Sequence, residues 1–188
     1  MNAEFENKVI LITGSSSGIG KNTAIAFAKL GARVVINGRD EAKIGKTVEE
    51  CMKASRNKQN VLAVKADLSD SNEIKRLVEE TVKKWNRIDV LINCASMNEA
   101  GGNIMAENML EMYEKHFVGK TRAYLQMCHL CAPYVIESEG VIINISGTSG
   151  KQPCTIDYMS CLTEAAIDSM TKTLALELGP KGVRVNSV

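Results

Sequence analysis

The first residues whose types and spacing suggest chemistry run Thr13-Gly14-Ser15-Ser16-Ser17-Gly18-Ile19-Gly20. The apolar run Val9-Ile10-Leu11-Ile12 leads into them, and an alanine-rich helical stretch from Asn22 to Leu30 follows. Strand, glycine turn and helix in this order gather backbone N–H groups at a helix N-terminus. With the positive end of the helix dipole, those donors form a seat for a phosphate anion. Gly14 suits a sharp turn, Gly18 lets a pyrophosphate approach the backbone, and Gly20 lets the helix pack closely. The spacing is G-x-x-x-G-x-G rather than the commoner G-x-G-x-x-G. Taken alone, an ordinary strand-to-helix turn stays open as an alternative.

Composition narrows the setting. With 188 residues, 23 basic and 22 acidic, the chain is the size of one domain and its formal charge is +1. That balance offers no basic footprint for nucleic acid. No apolar run reaches membrane-spanning length, and the first residues lack the apolar core of a secretion signal. A cytoplasmic protein with no membrane partner is therefore expected. The six cysteines (Cys51, Cys94, Cys128, Cys131, Cys154 and Cys161) are scattered, and only Cys128 and Cys131 stand close. Zinc sites usually bring two such pairs, so no metal is expected and the cysteines read as reduced small hydrophobes.

The elements that must position the glycine turn alternate regularly. Further strands are expected at Arg33 to Asn37, Asn60 to Lys65, Asp89 to Asn93 and Val141 to Ile145, with a sixth beginning at Val183. Helices are expected at Glu41 to Ala54, Ser71 to Trp85, about Glu107 to Val135 with an irregularity near Pro133, and Tyr158 to Leu178. A glycine and asparagine loop falls at Asn98 to Asn103, and Gly179-Pro180-Lys181-Gly182 stops the last helix. Apolar strands alternating with helices imply an α/β fold: a doubly wound, Rossmann-type parallel sheet of six strands in one domain spanning 1–188. Ligand is then expected at the carboxyl ends of the strands, where the winding reverses.

With these elements in view, the chain resembles the short-chain dehydrogenase/reductase family from about Asn7 to Val188. The resemblance rests on Thr13-Gly14-x-x-x-Gly18-x-Gly20, Asp67 after the third strand, and Asn93-x-Ala95 after the fourth. It rests further on Asn144-Ile145-Ser146, Tyr158, and Leu174-Ala175-Leu176-Glu177-Leu178-Gly179 running into Gly182-Val183-Arg184-Val185-Asn186. The family binds NAD or NADP and moves hydride between the nicotinamide and an alcohol or carbonyl carbon. Carried over, the cofactor residues are Gly14, Ser16, Ser17, Gly18, Ile19, Gly20, Arg39, Asp67, Leu68, Asn93 and Ala95. Asp67 would meet the adenine edge, with a helix N-cap or loop role as its alternative. Where an acidic residue would hold the ribose 2′-hydroxyl of NAD, this chain has Gly38, and Arg39 beside it suits a 2′-phosphate. NADP is expected over NAD, and a solvated surface arginine is the alternative.

The resemblance also implies a tyrosine acid–base with a lysine four residues later, a serine steadying the substrate oxygen, and a helix asparagine. Counted from Tyr158, the lysine position holds Leu162; aligned on Asn144-Ile145-Ser146-Gly147 the serine position holds Gly147, and in Lys115-His116-Phe117-Val118-Gly119 the asparagine position holds His116. Only Tyr158 survives as a catalytic residue, and the segment from Gly147 to Tyr158 is shorter than usual for the family. An ammonium about 4 Å from a phenolate contributes about 4 kcal/mol at an effective dielectric near 20. Without it Tyr158 is a weak base for alcohol oxidation, though less handicapped as a proton donor in reduction. Ser149, and less readily Ser146, could stand in for the missing serine. His116 and Lys120, four apart on one helix, could supply a proton relay or a cation, although a partly buried helix histidine with a backbone partner is the simpler reading for His116. The expectation is an NADP-dependent oxidoreductase of impaired catalysis on a carbonyl or alcohol. The alternative is a non-catalytic NADP-binding or partner-binding protein, or a truncated product. The long helices resemble those through which the family dimerises, so a homodimer is expected. The family's substrate-covering segment would lie past Val188, so the sequence reads as a fragment or as needing a partner on its last strand.

Overall fold

The fold is that of a computed structural model, which describes residues 3–96, 102–155 and 157–188. Six parallel strands are ordered β3-β2-β1-β4-β5-β6. They are β1 (Val9–Ile12), β2 (Arg33–Gly38), β3 (Val61–Lys65), β4 (Val90–Asn93), β5 (Val141–Asn144) and β6 (Arg184–Ser187). Between them run α1 (Gly18–Lys29), α2 (Glu41–Ala54), α3 (Ser71–Trp85), α4 (Met109–His116), α5 (Ala123–Glu137) and α6 (Tyr158–Leu178). The winding reverses between β1 and β4, so the turns leaving those strands open into one crevice.

β1 is buried on both faces because its alternate side chains enter different cores. Leu11 joins Val35, Leu91 and Ile142 under α3 and α5. Ile10 and Ile12 join Val34, Ile36 and Ile92 under α1 and α2. Asp40 caps α2 by accepting from the N–H groups of Ala42 at 2.9 Å and Lys43 at 3.1 Å. Asp70 caps α3 through Asn72 N–H at 2.7 Å. α1 differs: Ser17 at its N-cap makes no side-chain cap bond, and no acidic residue lies in the first turn. The donors of that turn face the crevice.

The expected boundaries of α2, α3 and α6 are those observed, and the strand ends shift by a residue. Two features differ. α1 begins at Gly18, inside the glycine turn, rather than at Asn22. The helix expected from Glu107 to Val135 is interrupted by a π-helical segment at Phe117–Arg122, while Pro133 lies within α5 without ending it. The extra residue of a π segment re-aims the side chains it carries, and Lys120 is one of them. Part of the loop expected at Asn98 to Asn103 lies outside the described residues.

Candidate functional site

Hydrogen bonds that the motif alone does not reveal fix the glycine turn. Ser15 Oγ donates to Ile12 O at 2.8 Å and accepts from Asn37 N–H at 2.9 Å. Asn37 Oδ1 in turn accepts from Gly14 N–H at 3.2 Å. Its Nδ2 donates to Val64 O at 3.3 Å and Ala66 O at 3.2 Å. One buried asparagine thus ties the ends of β1, β2 and β3 together, and its strand position gave no sign of this role. Gly14 has φ +64°, and a Cβ there would sit 2.7 Å from Ala95 Cα. Gly18 has φ +56°, and a Cβ there would meet nothing within 4 Å. The first glycine is needed for fit inside the protein, whereas the second leaves open space above the start of α1.

That space belongs to a cavity of about 720 Å³ running along the carboxyl ends of the strands. Gly14, Ser16, Ser17, Gly18, Ile19, Gly20, Arg39, Asp67, Leu68 and Ala95 all line it, as the sequence led one to expect. Arg39 Nη1 lies 3.9 Å from Asp67 Oδ2, with both side chains largely in solvent. Asp67 Oδ1 accepts from Ser69 N–H at 2.9 Å and Ser69 Oγ at 2.8 Å, while Asp70 takes the N-cap of α3. Ser16 fills the place beside Gly38: a Cβ at residue 38 would lie 2.5 Å from Ser16 Oγ and 2.7 Å from Ser16 Cβ. An acidic side chain at that strand end has no room unless Ser16 moves. Cys94 also lines the cavity; burial pushes its thiol up, against a hydrogen bond from Gly20 N–H.

Two expected site residues stand elsewhere. Asn93 is fully buried behind the cavity wall, and its Nδ2 donates to Asn144 Oδ1 at 2.9 Å. Asn144 passes the chain on to Thr171 Oγ1 at 2.9 Å, so this pair ties β4 and β5 to α6. Tyr158 is not among the lining residues; it starts α6, and its backbone N–H donates to Gly102 O at 3.4 Å. Leu162, one turn on, is 38% exposed.

The residue that α6 turns into the cavity is Glu164. Its Oε1 lies 3.1 Å from Lys120 Nζ, with the two side chains only 11% and 7% exposed. Its Oε2 accepts from Ser149 Oγ. A Cβ on Gly147 would fall 2.4 Å from that carboxylate, so Glu164 occupies the space a side chain at residue 147 would need. Counted back four residues from Glu164, the partner position is Ser160, not Tyr158. Glu164 thus faces Gly147 from two positions beyond Leu162, where the resemblance implied a lysine. The wall therefore presents a carboxylate held by an ammonium and a hydroxyl, where the resemblance implied a phenol beside an ammonium and a hydroxyl.

The neighbours of this pair complete the wall. Ser146 lines the cavity with its Oγ buried and unpartnered among the described residues. His116 is buried but lines no part of the cavity, and its Nε2 likewise finds no partner among the described residues, so the backbone bond expected for it is not that nitrogen's. Tyr124 donates from its hydroxyl to Ala95 O at 2.9 Å and Ile145 O at 3.2 Å. Burial holds its phenol far above the ordinary range, with nearby Cys94 and Glu164 adding to the effect. Tyr124 is thus a fixed donor bracing the wall rather than a proton-exchanging group.

A parallel sheet in this order, with a glycine turn opening onto an uncapped helix at the switch point, defines a Rossmann-type domain. The match to the short chain dehydrogenase family covers residues 8–188, and the chain belongs to that family. It is 35% identical, over 97% of its length and 72% of the relative's, to a subunit of (2S)-[(R)-hydroxy(phenyl)methyl]succinyl-CoA dehydrogenase from Thauera aromatica. It superposes on L-sorbose reductase of Gluconobacter frateurii, solved with NADPH and L-sorbose, with a TM-score of 0.90 and 27% identity, covering 100% of this chain and 70% of that one. The NADH-dependent reductase A1-R′, solved with NAD, gives a TM-score of 0.90 at 25% identity, covering 100% and 79%. Both forms of the dinucleotide therefore occur among proteins of this shape.

Proposed function

We propose that this single domain binds NADP and acts on a hydroxyl or carbonyl substrate poorly or not at all. The glycine turn and the uncapped first turn of α1 would hold the pyrophosphate, as the open space at Gly18 allows. Asp67 and Leu68 would meet the adenine. Arg39 is the candidate for the 2′-phosphate, supported by the Ser16 side chain that fills the place of an acidic residue. The bound cofactor would supply the hydride. The chain's own groups at that end are Lys120, Glu164 and Ser149, and the decisive observation is that Glu164 is held by both neighbours. Among the described residues the one tyrosine lining the cavity is Tyr124, whose hydroxyl is spent on Ala95 O and Ile145 O. Proton transfer would fall to Lys120 and Glu164, which are already committed to each other and to Ser149, so either direction of the reaction would be slow.

The test is to titrate NADPH and NADH by cofactor fluorescence and then to assay turnover on a carbonyl and alcohol panel. The expected result is saturable binding, tighter for NADPH, with no turnover above that of a Glu164→Gln variant. Turnover abolished by Tyr158→Phe would overturn the reading, as would failure to bind either dinucleotide. A homodimer is proposed through α4 to α6, where Leu110, Tyr113, Leu125 and Leu162 are exposed; light scattering at micromolar concentration tests it. A cytoplasmic setting is proposed as well, and suits a chain in which three of six cysteines are buried as small hydrophobes.

A further inference from the structure

We propose that Cys154 and Cys161 form a reversible disulfide that fastens the loop after β5 to the first turns of α6. The sulfur of Cys161 already lies against the main chain of Cys154. It accepts from Cys154 N–H at 3.3 Å, and its thiol lies 3.5 Å from Cys154 O. Bridging needs Cα atoms within about 7 Å, and a sulfur in contact with the other residue's backbone leaves only side-chain rotation and a small loop adjustment. Access separates the pair from three of the remaining cysteines, and Cys94, half-buried like Cys161, has its thiol pushed up by burial. Cys154 is exposed and Cys161 half-buried, whereas Cys51, Cys128 and Cys131 are buried. Burial pushes the thiols of Cys51 and Cys128 up, to about 11 and about 12, so exchange is disfavoured there.

The oxidant is a low-molecular-weight disulfide such as oxidised glutathione. The Cys154 thiolate attacks one sulfur of that disulfide, forming a mixed disulfide and expelling a thiolate. The Cys161 thiolate then attacks the Cys154 sulfur and expels the second. Two protein thiols lose two protons and two electrons, and one small disulfide becomes two thiols. The bridge would fix the stretch that carries Gly147 and Ser149 against the helix that carries Glu164. This stretch is already close: a Cβ on Gly150 would be 2.8 Å from the Glu164 carbonyl carbon.

The full chain is incubated in glutathione redox buffers, alkylated, and digested with trypsin, which releases both cysteines in one peptide between Lys151 and Lys172. The expected result is a peptide lighter by two hydrogens, with alkylatable thiols falling from six to four and dithiothreitol restoring them. In Cys161→Ser, Cys154 should instead accumulate the glutathione adduct. Glutathione adducts on both residues of the unmodified chain without the lighter peptide would overturn the proposal. So would a link from either cysteine to another copy of the chain. Cys154→Ser keeps the experiment interpretable, because it removes the exposed sulfur and retains the main-chain groups that meet Cys161.

Discussion

Lys120 Nζ and Glu164 Oε1 stand 3.1 Å apart, a nearly dry ion pair facing Gly147 across the end of the cavity. Removing one member of such a pair strands a charge, which typically costs about 3–5 kcal/mol. Replacing both with apolar residues of similar volume is often close to neutral. Lys120→Met should therefore lower the urea midpoint sharply, and adding Glu164→Leu should recover most of the loss. Additive losses in the double variant would show that the two side chains do not act as a pair.

Much of the scaffold was legible because apolar runs of four or five residues alternate with helical periodicity, and parallel sheets admit few topologies. The nucleotide end was legible too, since glycine spacing and strand-end residues are local features. The opposite end was not. Its geometry depends on the rotation of α6, which turns Glu164 into the cavity and leaves Tyr158 at the helix start outside the lining. Lys120 was legible as a candidate cation, but its pairing with Glu164 was not, because a π segment alters the helical phase that periodicity assumes. Asn37 and Asn144 read as polar strand residues, and only the sheet shows what they join.

In the proposed function, the choice between the two dinucleotides turns on Arg39. A charge-assisted hydrogen bond to the 2′-phosphate contributes about 1.5–3 kcal/mol, or about ten- to a hundredfold in affinity. Arg39→Ala should weaken NADPH by that factor and leave NADH within about twofold. Gly38→Asp should not simply convert the preference, because its Cβ meets Ser16; Gly38→Asp with Ser16→Gly should do so better. Equal losses for both dinucleotides in Arg39→Ala would count against 2′-phosphate recognition.

The two glycines of the turn should fail in different ways. Gly14→Ala combines a left-handed backbone, costing about 1–2 kcal/mol, with an overlap on Ala95 that adds about 1–3 kcal/mol. Its urea midpoint should fall. Gly18→Ala carries only the backbone cost, but its methyl projects into the space above α1. It should lose nucleotide affinity with a much smaller change in stability. The reverse ranking in paired unfolding and fluorescence titrations would refute this division.

Asp89 sets the acid limit of the fold at the amino end of the sheet, far from the cavity. It is 3% exposed and joins β1 to β4: Val9 N–H donates to its Oδ2 at 2.9 Å, Lys8 Nζ lies 3.0 Å from Oδ1, and Arg87 Nε donates to both oxygens at 2.8 Å. Burial works to raise its carboxyl, but the Arg87 guanidinium, the Val9 N–H and Lys8 together hold it below the usual carboxylate range. An unfolded chain, with this group at about 3.9, therefore takes up the proton first as pH falls. The stability it contributes is complete above that value and is lost as pH drops through the lower folded value. Asp89→Asn should cost about 1–3 kcal/mol at pH 7 and flatten the acid limb of stability against pH below about 4. Because the cavity lies at the opposite end of the strands, NADPH affinity at pH 7 should be unchanged in this variant. An Asp89→Asn protein with an unaltered acid limb would move the origin of acid unfolding to another carboxylate.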